Sequence, residues 1–94
     1  MKYTKPENVK SPQNSLEALR ILCDKGEELY SIAELKWNGQ KCFGIRWNVS
    51  QNEWNDKSKQ QEIKTCIGMP SSRGHSTWFI LPKEMNEYIK HLIK

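Results

Sequence analysis

Histidine is nearly missing from this chain: His75 and His91 are the only two, and no metal-binding or catalytic spacing surrounds either. The three cysteines, Cys23, Cys42 and Cys66, stand far apart with no Cys-x-x-Cys, so they read as reduced, mostly buried thiols and not as a zinc or redox site. No Gly-x-Ser-x-Gly, His-Glu-x-x-His or phosphate-cradling Gly-x-x-x-x-Gly-Lys occurs, and no acidic pair is placed for acid-base work. The expectation is therefore a protein that is not an enzyme and carries no cofactor or metal. Apolar runs are short as well. None approaches the roughly 20 residues that span a bilayer, and the Lys/Asn-rich amino terminus has no apolar stretch like a signal peptide. These absences point to a cytoplasmic protein with no membrane partner, and they make Asn48-Val49-Ser50 a chance match to the glycosylation pattern.

What the chain does have is tryptophan, four in 94 residues, within 36% apolar content, which argues for a folded domain. A domain this small buries only roughly 60 to 65% of its unfolded surface, so a second subunit would add stability. The net charge of +4 is mild. It gathers at Lys2, Lys5 and Lys10 near the amino terminus, Lys41 and Arg46 in the middle, and Arg73 later, while Asp24, Glu27 and Glu28 form one acidic turn. That distribution suits an anionic partner, and equally a solvated basic surface.

Residues 1–14, with Pro6 and Pro12 and no periodicity, read as a flexible basic arm, and residues 15–94 as a single α+β domain. Asn38-Gly39 between two β-rich runs signals a hairpin, because a type I′ turn needs positive φ at both central residues. Pairing Trp37 with Gln40 sets the register and sorts the side chains. Tyr30, Ile32, Phe43, Ile45 and Trp47 share a face that reads as core. Ala33, Leu35, Trp37, Cys42, Gly44 and Arg46 share the other.

Two readings of that second face stand open. It is a shallow floor where Trp37 stacks a base and Arg46 and Lys41 meet phosphates, with Ala33 and Gly44 leaving room, or it packs on a second layer. Residues 15–26 are likewise open between a helix, favoured by propensity, and a strand running into an Asp24-Lys25-Gly26 turn. Residues 48–64 form a long polar loop with Trp54 as its large apolar anchor. Ser71–Ser76 is turn-rich, and Arg73, His75 and the serines there could hold a phosphate, although a plain turn explains them too. Thr77–Leu81 reads as a strand with Trp78 and Phe79 on opposite faces. After Pro82, the apolar spacing Met85, Tyr88, Ile89, Leu92, Ile93 predicts an amphipathic helix of about three turns that covers the hairpin.

This element order resembles the positive cofactor four family of single-stranded-DNA-binding transcriptional coactivators, to which bacterial, phage and plant Whirly proteins are similar in outline. The segment Trp37-Asn38-Gly39-Gln40-Lys41 through Ile45-Arg46 is similar to the family's tryptophan, acidic or amide residue, glycine, basic residue and then isoleucine-arginine. Pro70–His75 is richer in serine and proline than the family's lysine/glycine-rich segment, and the loop before it is longer. The resemblance covers residues 16–94. It implies a twisted four-stranded antiparallel sheet followed by a helix, two subunits paired through the helices, and Lys41, Arg46, Trp47 and Arg73 at the nucleic acid. It also makes 16–23 a strand.

The combined expectation is a homodimer that binds single-stranded DNA or RNA without sequence preference, in transcription or replication. Trp37 and Trp47 stack or support bases, Lys41, Arg46 and Arg73 neutralise phosphates, and His75 lies beside them. The alternative is a protein-interaction or inhibitor module with exposed aromatics, and a small nuclease using His75 comes third.

Overall fold

The computed structural model describes residues 1–10, 16–37 and 39–93, with side chains described from residue 19 onward in the first strand. The strands are β1 (Leu16–Asp24), β2 (Tyr30–Trp37), β3 (Gln40–Trp47), β4 (Ser71–Ser72), β5 (His75–Ser76) and β6 (Phe79–Ile80). The α-helices are α1 (Lys57–Gln60) and α2 (Asn86–Leu92). An antiparallel sheet of four strands runs in the order β1-β2-β3-β6, and β4 and β5 form a separate small hairpin. The α+β architecture of sheet followed by helix is as expected. No helix among the described residues is long and apolar enough to cross a membrane.

Residues 16–24 are a strand. Their helical propensity yields to pairing with β2, in which Leu19 faces Leu35 and Ile21 faces Ala33, and two register shifts bend the strand along the way. The β2–β3 register is the one that the Asn-Gly turn predicts, from Trp37 opposite Gln40 to Tyr30 opposite Trp47, with Gly39 at φ +77°. Asn38 lies outside the described residues.

Both faces of the hairpin are covered. On one, α2 lays Ile89 against Ile32 and Phe43, with Ile93, Ile45 and Leu81 around them. On the other, Ala33, Leu35 and Cys42 pack under Trp78 and Val9. The second-layer reading of this face is therefore the one the structure shows, and its cover comes from an unexpected place. The amino-terminal segment, expected to be a flexible arm, is held as far as Val9. Tyr3 pairs with Cys66, Pro6 is buried, and Val9 is 1% exposed beneath a 2.7 Å hydrogen bond that Trp78 Nε1 donates to its carbonyl. Composition hid this because Val9 is a lone apolar anchor among polar residues. Residues 11–14 of that arm lie outside the described residues.

Gly44, expected to leave room for a base, instead makes room for the protein itself. A Cβ there would stand 2.7 Å from Leu35 Cδ1 and 3.2 Å from Trp78 Cβ. The loop at 48–64 is also more ordered than its composition suggests, with a 3-10 helix at Gln51–Asn55 followed by α1. Its anchor is Glu53, which is buried, while Trp54 is 36% exposed. Asn48 is buried too. It accepts from Ser31 Oγ and donates to Asp24 and the Gly26 carbonyl, an interior role that explains the residue without any modification.

The carboxy-terminal helix is shorter than the apolar spacing predicts, because the turn after Pro82 winds as a 3-10 helix, Lys83–Met85, before α2 begins. Of the stripe, Ile89 is buried and Ile93 half-buried, while Met85, Tyr88 and Leu92 remain exposed.

Candidate nucleic-acid interface

Six residues were expected at the site: Trp37, Lys41, Arg46, Trp47, Arg73 and His75. The structure separates them into four groups. Trp37 and Lys41 sit at the tip of the β2–β3 hairpin but on opposite faces of the ladder, Trp37 with Gln40 and Lys41 with Lys36, which corrects the expectation that they share one face. Trp47 stands at the other end of β3, six positions from Lys41 or about 20 Å along the strand. Arg73 and His75 are exposed on the β4–β5 hairpin, where Arg73 at φ +53° and Gly74 at +79° supply the two positive φ values of a type I′ turn.

Arg46 is interior and is withdrawn from the site. It is 2% exposed, and its guanidinium donates to the carbonyls of Ile67 and Thr77, with a longer contact of 3.4 Å to Pro70. Burial lowers its pKa to about 10, against an upward pull from Glu53. Arg46 therefore works as a clamp that ties three backbone segments to β3, with no face left for a phosphate. Glu53 completes that clamp from the other side. Its carboxylate accepts from the amides of Ser50, Ile67 and Gly68 at 2.8 to 2.9 Å and from Lys59 Nζ at 2.5 Å. Burial alone would push this carboxyl up, but Lys59 and the three amides outweigh it and hold it at about 2.

Trp47 shares the helix side of the sheet, as the register requires, yet it is 51% exposed because the short α2 does not reach it. Tyr30 meets it edge-on with ring centroids 6.2 Å apart, and Met69, paired to it across the strand edge, is exposed beside it. Phe79, opposite Ile45, adds a third exposed apolar side chain on that face.

The hairpin tip has a different character. β6 is two residues long and its last ladder bond runs from Leu81 N to the Phe43 carbonyl, so β3 continues past it toward Gln40 without a covering strand. Trp37, Gln40, Lys41, Cys42, Leu81 and Lys83 line the cleft left at this edge, which holds about 290 Å³. Trp37 is half-buried against the Val9 cluster, and its indole Nε1 is buried with no hydrogen-bond partner among the described residues. A second cleft of about 360 Å³ adjoins it through Lys41 and is lined by Leu19, Arg20, Glu34 and Lys36. Lys36 lies directly opposite Lys41 in the ladder.

Arg20, Lys36 and Lys83 belong to this surface and were not among the expected site residues. Two of them were within reach of the hairpin register: Lys36 faces Lys41 directly, and Arg20 faces Glu34 once 16–23 is taken as a strand. Lys83 depends on where β6 stops, which sequence patterning does not mark. Elsewhere, Cys42 and Cys66 are buried, and burial pushes both thiols above their ordinary pKa. No group of three or more metal-ligating side chains converges among the described residues. No protein-family model, curated protein or solved structure matches this chain.

Proposed function

We propose that this protein binds single-stranded nucleic acid without sequence preference and without catalysis, at the tip of its β2–β3 hairpin. The observation that carries the reading is an aromatic side chain with cations around one hairpin tip: Trp37 and Gln40 stand on one face of the ladder and Lys36 and Lys41 on the other, while Lys41 and Lys83 line the same edge cleft as Trp37, and Arg20 and Lys36 line the next. A single strand needs a π-face for its bases and positive charge along its phosphates. The order of sheet and helix agrees with what the likeness to the positive cofactor four family implies.

The same reading includes a homodimer. Met85, Tyr88 and Leu92 form an exposed ridge along the carboxy-terminal helical segment, with Glu84 and Glu87 toward its start and Lys90 and His91 toward its end. Two copies crossing antiparallel would set acidic starts against basic ends, as an isologous interface requires. Replacing Tyr88 with glutamate should yield a monomer in sedimentation.

The test of binding is tryptophan fluorescence titrated with oligothymidylate across a salt series. Trp37→Ala should cost about 1 to 3 kcal/mol, the worth of one stacked base, and Lys41→Gln should weaken binding and flatten the salt slope. Binding that is absent at low salt, or indifferent to salt, overturns the proposal. The second reading, a protein-interaction module, is favoured by the exposed Trp47, Met69 and Phe79. Its signature is a captured partner that survives nuclease and high salt and is lost on Trp47→Ala.

A further inference from the structure

The cations at the hairpin tip already hold an anion, and it belongs to the protein. Glu34 on β2 faces Arg20 across β1 and reaches Lys41 on β3, so that one carboxylate bridges both neighbours. Its two oxygens are divided between them: Oε2 accepts from Arg20 Nη2 at 3.0 Å, and Oε1 lies 3.3 Å from Lys41 Nζ. The Arg20 and Lys41 side chains are 68% and 73% exposed, while Glu34 is 20% exposed between them. Burial pushes the Glu34 carboxyl up, but the hydrogen bonds from Arg20 and Lys41 outweigh that and hold it below its ordinary value. The group is ionised wherever the protein is folded near neutrality.

A carboxylate with one oxygen on each of two cations has the same contact pattern as the two free oxygens of a phosphodiester. Two reachable cations are thus held at a separation that a single bridging anion spans. We propose that Glu34 is a built-in competitor at the nucleic-acid site, occupying the place of a ligand phosphate and released when a strand binds. The inference rests on the hairpin tip being the binding surface. It gives Glu34 a specificity role: a lone anion must displace the tethered carboxylate for two contacts at most, whereas a polyanion also engages Lys83 and the Trp37 cleft and gains more than it displaces. Free phosphate and mononucleotides are rejected, and strands are admitted.

The experiment compares wild type with Glu34→Gln, using labelled oligothymidylate and thymidine monophosphate over a salt series. Exposed ion pairs of this kind are weak and two are released, so Glu34→Gln should tighten oligothymidylate binding about 3- to 30-fold at low salt. The salt slope should steepen by about one and the monophosphate should bind measurably. A matched charge change at exposed Glu28, in the turn at the opposite end of β2, should produce no such gain. The gain should also vanish in an Arg20→Gln, Lys41→Gln background. Should Glu34→Gln not fold, Glu34→Asp keeps the charge and shortens the reach, and a smaller gain is expected.

If wild type binds with its salt dependence while the Glu34 variants bind no tighter, or if Glu28→Gln gains as much, the competitor role is overturned and the nucleic-acid reading stands. Absence of oligothymidylate binding by both wild type and variant overturns the two together.

Discussion

Glu53→Gln replaces the carboxylate that closes the interior clamp and keeps its volume, so nearly all of its effect should be electrostatic. The carboxylate accepts three backbone amides and a lysine, and Gln offers one acceptor oxygen while turning an NH₂ toward donors it cannot satisfy. Holding this carboxyl at about 2 against an ordinary 4.5 corresponds to about 3 kcal/mol, at roughly 1.4 kcal/mol per pH unit. A domain of this size is stable by only about 5 to 14 kcal/mol, so the loss is a large share of the total.

The pH dependence follows from the direction of the shift. Because the folded pKa is depressed, the stabilisation is fully present above about pH 4.5 and is lost as pH falls toward 2. Urea denaturation followed by tryptophan fluorescence should therefore show wild type ahead of Glu53→Gln by about 3 kcal/mol at pH 7. The two curves should converge between pH 4.5 and pH 2. A difference that stays constant over that range, or one below about 1 kcal/mol at neutrality, would refute the assignment of Glu53 as the charged keystone of the clamp.

Three further substitutions report on the interior. At Gly68 an added Cβ would lie 2.2 Å from the Trp47 carbonyl and 2.8 Å from that of Asn48 on a backbone at φ +71°, so Gly68→Ala should abolish cooperative folding. At Gly44 the nearest atom is the mobile Leu35 Cδ1, and Gly44→Ala should cost about 1 to 3 kcal/mol in a thermal or urea melt while leaving the fold intact. Arg46→Met should destabilise by about 3 to 5 kcal/mol, because buried carbonyls and Glu53 lose their counter-group. The oligonucleotide salt slope of the folded fraction should not change, and a flattened slope would return Arg46 to the binding surface.

The hairpin was legible because its information is local. Asn38-Gly39 and the alternation on either side fix the register, and the register fixes which side chains share a face. Strand β1 was only half legible, since Leu-Glu-Ala-Leu favours a helix and pairing with β2 decides otherwise. Arg46 and Gly44 were misassigned for one common reason: what covers a sheet face comes from distant sequence. Val9 lies more than thirty residues before Arg46, and the carbonyls that capture Arg46 belong to Ile67, Pro70 and Thr77. A small residue next to an arginine is compatible with a ligand floor and with a tightly packed interior. Only the tertiary contacts distinguish them.

Where the two binding readings diverge is set by where the covering elements stop. β6 ends with Ile80 opposite Gly44 and leaves Trp37 at a cleft edge, while α2 ends at Leu92 and Trp47 stays exposed. Trp37 and Trp47 differ in their electrostatic surroundings. Around Trp37, Lys41 and Lys83 line the same cleft, and Arg20 and Lys36 line the next, with Glu34 as the one carboxylate among those lining residues. Around Trp47, the neighbours are Tyr30, Met69 and Phe79. A polyanion gains little from the second surface, since stacking without cations forfeits the counterion release that supplies most non-specific affinity. An apolar partner gains little from the first, where four cations would need desolvating. On the proposed readings the two surfaces are separable, and Trp37→Ala with Trp47→Ala should divide them: the first lowers strand binding at constant association, and the second weakens association with protein at constant strand affinity.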